Sequence, residues 1–433
     1  MRAVSVSVLA LAVTWAACGG RDRAEHSRAG ARLEPAATGD PAPYPARPRA
    51  GDPAPPEPVV APPPAAPIAI DTHVDTTQRM LDDGDDIGER LDDGHLDIPR
   101  MREGGLTGAF FSVWVNPRRF SGDAAWERAR ALTGAIRAVA ERHPDLAALC
   151  TTADEVRAAA RDGKIALLIG VEGGHALGSS DPDVVMQRLR EMYALGARYM
   201  TITWSTDNPL GHSSSGARPR RGLTPLGRRV IEEMGRLGMI VDVSHVSERT
   251  FFDIMDIVGG PVLASHSAAR ALSDHDRNLT DEQIRRVAQG GGAVCVNYFS
   301  NFIDADYLQR RRRLERQHAE RFAAIADAQG DNWIARGAAQ LALARELDPA
   351  IAPPTLETLG AHFAHVVEIG GPGAACLGSD FDGVPELPLG LDDVSRLGAL
   401  REELERRELP VGAILGENVL RVLAAQHPAP GAQ

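Results

Sequence analysis

Eight separate apolar runs in this chain each end in a polar or metal-competent residue, and this recurrence constrains the fold more than any other feature. They are Ile68-Ala-Ile70 into Asp71-Thr-His73-Val-Asp75, Gly108 to Val115 into Asn116, Ile165 to Val171 into Glu172, and Arg198 to Thr203 into Trp204. The other four are Met239 to Val243 into Ser244-His245, Val262-Leu-Ala264 into Ser265-His266, Ala293 to Val296 into Asn297, and Ala375 to Gly378 into Ser379-Asp380. Short buried strands alternating with helical stretches specify βα units and a parallel sheet. Eight such units, with polar groups converging after early and late strands alike, fit a closed TIM (β/α)8 barrel better than a doubly wound open sheet. A TIM barrel keeps its active site at those C-terminal strand ends.

The helix-like stretches between the runs are Ala124 to Arg142, Asp154 to Arg161, Asp183 to Leu195, Thr224 to Leu237, Glu248 to Val258 and Asp281 to Ala288. Several open on a capping residue followed by acid, as in Thr280-Asp281-Glu282 and Ser247-Glu248. Residues 304–354 break the rhythm with Arg310 to Arg313 and a long run of Ala, Arg, Gln and Glu. They read as one or two charged surface helices inserted before the last βα unit. Glu315, Glu320 and Asp327 are interleaved among these arginines, so the stretch is a solvated face and not a polyanion site.

With 433 residues and 43% hydrophobic content the chain can bury a large core, and residues 68–425 form the expected barrel domain. A formal net charge of −12 argues against nucleic acid as a partner, because counterion-release binding needs a basic surface. Residues 1–18 read as a signal peptide ending in a lipobox at Cys18, which would export the protein and lipid-anchor it to a membrane of the cell envelope. A plain signal cleaved near Ala17, giving a periplasmic or secreted protein, is the alternative. Residues 19–67 are a Pro/Ala-rich tether without apolar period, and 426–433 a frayed C-terminus. The four cysteines, Cys18, Cys150, Cys295 and Cys376, lie far apart without CxxC spacing. Cys295 and Cys376, inside apolar strands, read as small buried hydrophobes.

His73-Val-Asp75 puts two candidate ligands on one side of an extended segment, because strand side chains repeat every two residues. Alone, an HxD pair is more often a hydrogen-bonded strand end than a metal site. Glu172, His245 and His266 end other strands at the same topological level, and together these groups indicate metal. Imidazoles and carboxylates without thiolate suit Zn2+ or another borderline divalent ion. Five ligands exceed one open tetrahedral site, whereas two ions about 3.5 Å apart, bridged by a carboxylate and with a water or hydroxide between them, would use them economically. The chemistry implied is hydrolysis. Asp380 at the end of the last strand is the candidate acid/base, and Asp382 competes with it but suits a turn with Gly383.

The chain resembles the membrane dipeptidase (renal dipeptidase) family of zinc metallopeptidases, within the amidohydrolase-like barrels, from about Ile70 to Leu423. The resemblance rests on Asp71-Thr-His-Val-Asp75, Gly170-Val-Glu-Gly-Gly-His175, Arg198-Tyr-Met-Thr-Ile-Thr203, Val241-Asp-Val-Ser-His-Val-Ser247, Ser265-His-Ser267, Arg277-Asn278 and Gly378-Ser-Asp-Phe-Asp-Gly-Val384. It implies that His73 and Asp75 bind one zinc and His245 and His266 the other, with Glu172 bridging and Asp380 as acid/base. It further implies that Arg277 engages the terminal carboxylate of a dipeptide, that His175 orients a loop, and that the protein is a homodimer. Phe302 falls where the family presents an aromatic to substrate, though core packing explains it equally well.

One position departs from the pattern. Where many relatives place a histidine after the fourth strand, this chain reads Thr203-Trp204-Ser205. Either Trp204 donates its single N–H weakly, or His212 on the following loop substitutes, or the preferred substrate differs. The expected function is therefore a zinc dipeptidase acting on dipeptides with a free C-terminal carboxylate. The alternatives are a metal-dependent amidohydrolase of another amide or ester (an N-acyl amino acid, a dipeptide containing a D-residue, a β-lactam) and a non-catalytic envelope binding protein on the same barrel.

Overall fold

The eight apolar runs form the staves of one parallel barrel. The computed structural model describes residues 67–330 and 332–426. The expected signal peptide, Cys18 and the expected tether through residue 66 lie outside the described residues, as do 427–433 of the expected frayed end. In chain order the strands are β1 (Ile70–Val74), β2 (Gly108–Trp114), β3 (Ala147–Leu149), β4 (Ile165–Glu172), β5 (Ala197–Thr201), β6 (Ile240–Asp242), β7 (Leu263–Ser267), β8 (Ala293–Val296) and β9 (Ala375–Leu377). All their ladders are parallel, in the order β2-β1-β9-β8-β7-β6-β5-β4, and a β2–β4 ladder closes the ring. β3, which the apolar runs did not include, pairs only with the first three residues of β4, Ile165 to Leu167.

The staves are buried almost throughout, because helices cover the outer face and side chains fill the interior. The pleat sorts neighbours to opposite faces. Phe110, Leu168, Tyr199, Ile240 and Leu263 pack together inside the barrel, whereas Phe111, Leu167, Ile169, Met200 and Val241 join the shell beneath the helices. Gly170 on β4 makes room for this interior, since a Cβ there would run into the Tyr199 ring. The expected caps are present. Thr280 forms a capping box on the helix Asp281–Gln289, and Ser247 accepts from the Thr250 amide at the start of Glu248–Met255.

Cys295 and Cys376 correct the sequence reading. They are buried, as expected, but they form a disulfide, with Cα atoms 4.1 Å apart. They lie 81 residues apart in the chain, so spacing alone does not reveal the pair. The β8–β9 register sets Cys295 directly beside Cys376 inside the barrel.

The insertion is helical, with three helices, Ala305–Gln317, Ala319–Gln329 and Trp333–Leu347, in place of one or two. They share a small apolar cluster of their own around Tyr307, Leu314, Phe322 and Ala344. Arg310 pairs with Asp348 and Arg311 with Glu315, so two arginines of this basic run are neutralised within the insertion. The helix Leu356–Gly370 then leads into β9.

Candidate active site

All five expected ligands converge at the C-terminal mouth of the barrel. His73 lies in β1 and Asp75 just beyond it, Glu172 ends β4, His266 lies in β7, and His245 follows β6. The regular ladder fails at two of these places. The β1–β2 register shifts between Asp71 and Val74, and the β7–β8 register between Ala264 and Ser267, so both irregularities span a histidine. His245 adopts a left-handed backbone (φ 64°), as do Asp380 (φ 66°) and Asp382 (φ 60°). Such conformations in non-glycine residues cost roughly 1–3 kcal/mol each and persist only where the surroundings impose them.

Glu172 stands between two groups of ligands. Its Oε2 lies 3.4 Å from His73 Nε2, and its Oε1 lies 2.9 Å from His245 Nε2 and 3.6 Å from His266 Nε2. Asp75 Oδ2 is 3.7 Å from His73 Nε2. Hydrogen-bond direction shows which atoms face inward. Tyr199 Oη donates its one proton to the Thr72 carbonyl, 3.0 Å away, so it accepts from His73 Nδ1 at 2.8 Å. When neutral, His73 therefore turns a proton-free Nε2 toward two carboxylates. His73 Nε2 and Asp75 Oδ1 are both buried without a hydrogen-bond partner. Nitrogen and oxygen lone pairs turned toward one another in a dry site are stabilised by a cation between them.

Burial lowers the His73 imidazole, but Tyr199 and Glu172 outweigh it and, with no metal bound, hold His73 well above the usual imidazole range. Burial, with Asp75 and Asp380 adding their repulsion, pushes the Glu172 carboxyl up to about 7 against the attraction of His73. Burial likewise raises Asp380 to about 6, opposed by His73 and assisted by Asp75. His245 and His266 are held well below the usual imidazole range, by burial first and by Arg277 and His73 as cations nearby. These two imidazoles are neutral, with Nε2 atoms 2.8 Å apart, as metal ligation requires.

Asp380 is clustered with His73 and Asp75, and Asn297 donates to its Oδ2 at 2.8 Å. Asn297, read from the sequence only as a strand ending, thus holds the acid/base candidate in place. Asp382 serves the loop instead, accepting from Thr76 Oγ1 and the His95 amide, each at 2.6 Å. Gly383 leaves the space into which Asp75 and Asp380 point, because a Cβ there would run into both carboxylates. Gly383→Ala is expected to lower turnover by about 10²-fold, the scale of a 1 Å misplacement, with far-UV circular dichroism unchanged. Full activity in that variant would show that the two carboxylates tolerate displacement.

The ligands open into a cavity of 1190 Å³ lined by Trp114, Trp204, Arg277, Phe302 and, from the insertion, Arg336. Arg277 is buried, and burial pulls it down to about 10. Its Nη2 donates to the His266 carbonyl at 3.2 Å, its guanidinium lies 5.6 Å from the Phe302 ring centre, and its Nη1 has no partner. Trp204 packs 5.1 Å from Trp114, a residue that the strand pattern did not single out. Trp114 Nε1 is also buried without a partner. His212 is not brought to the cavity. Its Nδ1 is 2.7 Å from the Gly222 carbonyl and it is absent from the lining, so it does not replace the histidine missing at Trp204. His175 is bound through Nε2 to the Val115 carbonyl at 2.7 Å, beside the loop after β4.

The membrane dipeptidase (peptidase family M19) model matches residues 65–430. The chain belongs to this family. It is thus a hydrolase acting on dipeptides, and the five converging ligands are the candidate metal site of a metallodipeptidase. An uncharacterized dipeptidase of Schizosaccharomyces pombe is 32% identical over 344 residues, 76% of this chain and 71% of that protein. Among solved structures, the metallopeptidase dipeptidase AC of the same family is 26% identical, with a TM-score of 0.67 over 84% of this chain and 99% of its own. A Rhodobacter sphaeroides metallopeptidase, liganded with a phosphinate mimic of the dipeptide L-Ala-D-Ala, is 25% identical, with a TM-score of 0.67 over 83% of this chain and 99% of its own.

Proposed function

We propose that this membrane dipeptidase family member is a dinuclear zinc enzyme that cleaves dipeptides carrying a free C-terminal carboxylate. The observation that carries the reading is the division of Glu172, one oxygen toward His73 and the other toward His245 and His266. On this reading His73 and Asp75 would hold one ion and His245 and His266 the other, with Glu172 within reach of both groups. The donors fit zinc, since they are imidazole and carboxylate with unpartnered lone pairs facing inward. Divalent cations bound there would supply Lewis acidity toward a carbonyl oxygen and acidify water.

The protein groups supply positioning and proton transfer. Arg277, buried with Nη1 unpartnered, receives the substrate carboxylate, a role suited to a guanidinium fork. Asp380, oriented by Asn297, takes the proton of the attacking water and returns it to the leaving amine. The phosphinate mimic of L-Ala-D-Ala bound by the Rhodobacter sphaeroides relative supports a dipeptide and places a D-residue among the substrates to test. The size of the cavity, above the roughly 300–1,000 Å³ of common ligand pockets, favours as second reading a larger amide such as an N-acyl amino acid.

A panel of L-L and L-D dipeptides, their C-terminal amides and N-acyl amino acids, assayed with zinc-loaded protein, separates these readings. Free dipeptides are expected to lead. Arg277→Ala is expected to raise KM for them by about 10- to 100-fold, the scale of a lost charged hydrogen bond, and to leave the amides nearly unaffected. An unchanged KM for free dipeptides would rule out carboxylate recognition by Arg277.

A further inference from the structure

Two buried aspartates, neither of them a proposed ligand, brace the strands that carry the ligands. β6 and β7 share a single ladder pair, Asp242 with Leu263, and β1 and β9 a single pair, Asp71 with Leu377. At those pairs side-chain carboxylates reinforce the few backbone hydrogen bonds that join the strand ends. Asp242 Oδ1 accepts from the amides of Ser244 at 3.0 Å and Ser265 at 2.9 Å. Asp71 Oδ1 accepts in the same way from the amides of His73 at 3.1 Å and Ser379 at 3.0 Å. Each carboxylate thus joins its own strand end to the neighbouring one at the place where the mouth opens for the ligands.

Asp242 does more than Asp71. Its Oδ2 accepts from Ser265 Oγ at 2.7 Å and from Thr201 Oγ1. A carboxylate only accepts, so the one proton of Ser265 is committed to it. Ser265 Oγ must then accept from His266 Nδ1, which lies 2.7 Å away. The proton of a neutral His266 is therefore on Nδ1, and the proton-free Nε2 faces Glu172 and His245.

We infer that Asp242, acting through Ser265, is a positioning residue that fixes His266 in its metal-ligating tautomer and holds the ends of β6 and β7 at ligand spacing. The inference rests on the zinc reading of the site. Groups that orient a ligand histidine typically matter 10- to 100-fold in metal affinity.

Asp242→Asn tests the relay because it preserves shape and reverses polarity. The asparagine carbonyl still accepts the two backbone amides, while its NH2 donates to Thr201 and Ser265. The Ser265 proton then turns toward His266 Nδ1, and the imidazole proton moves to Nε2, the atom that should bind metal. Chelator competition is expected to show about 10- to 100-fold weaker affinity for one of two zinc ions, the other unchanged, with the melting temperature of the metal-free protein near that of wild type. Ser265→Ala, which removes the hydroxyl and nothing else, is expected to weaken the same ion. The double variant is expected to bind it more tightly than Asp242→Asn alone, because the wrong tautomer is no longer imposed. Wild-type zinc affinity in both single variants, or a fall in stability without any change in affinity, would overturn the relay. Wild-type protein that binds no zinc would instead overturn the metal reading on which it rests.

Discussion

Stripping divalent metal with a strong chelator is expected to abolish dipeptide hydrolysis, and added zinc is expected to restore it, with about two ions bound per chain at full activity. The geometry supports this dependence. Without a cation, His73 Nε2 and Asp75 Oδ1 are buried and unpartnered, and the Nε2 atoms of His245 and His266 face each other at 2.8 Å. Stability should follow the metal too, because a ligand that binds only the folded state stabilises it, by about 4 kcal/mol at 1,000 times its Kd. Elemental analysis, a thermal melt and a dipeptide assay on the same samples check all three. Cleavage that survives complete metal removal would sink the dinuclear mechanism.

Asp380→Asn is expected to lower kcat by about 10²- to 10⁴-fold with KM little changed, the range for loss of a general acid/base. The change is nearly isosteric, and the asparagine carbonyl can still accept from Asn297 Nδ2, which now lies 2.8 Å from Asp380 Oδ2. What disappears is the group that carries the proton from water to the leaving amine. Zinc content decides the interpretation, because Asp380 clusters with His73 and Asp75. Two ions per chain with turnover lost identifies a proton carrier, whereas loss of an ion alongside turnover identifies a ligand. Turnover within a few-fold of wild type would move the role to another residue.

Much of this molecule is legible in one dimension. Burial and position at a strand end are local properties, so β-branched runs punctuated by His73, Glu172, His245, His266 and Asp380 point to a barrel and to one mouth of it. β3 escaped because Ala147–Leu149 is only three residues long and lies against one end of β4. His212 was misplaced for a related reason. A loop position next to the right strand says nothing of where the ring turns, and here it binds the Gly222 carbonyl.

By itself, then, the amino-acid order determined the alternation of strands and helices, the ligand types and the end of the barrel where they gather, because each follows from pattern over a few residues. Only the tertiary structure decided how distant residues act as pairs. Register across parallel ladders joins Cys295 to Cys376, Asn297 holds Asp380, and Asp242 reaches His266 through Ser265. The physical reason is that a hydrogen bond or a shared cation depends on separations of a few ångströms and on which atom carries the proton. Both are properties of strands brought side by side, and neither is written along any one of them.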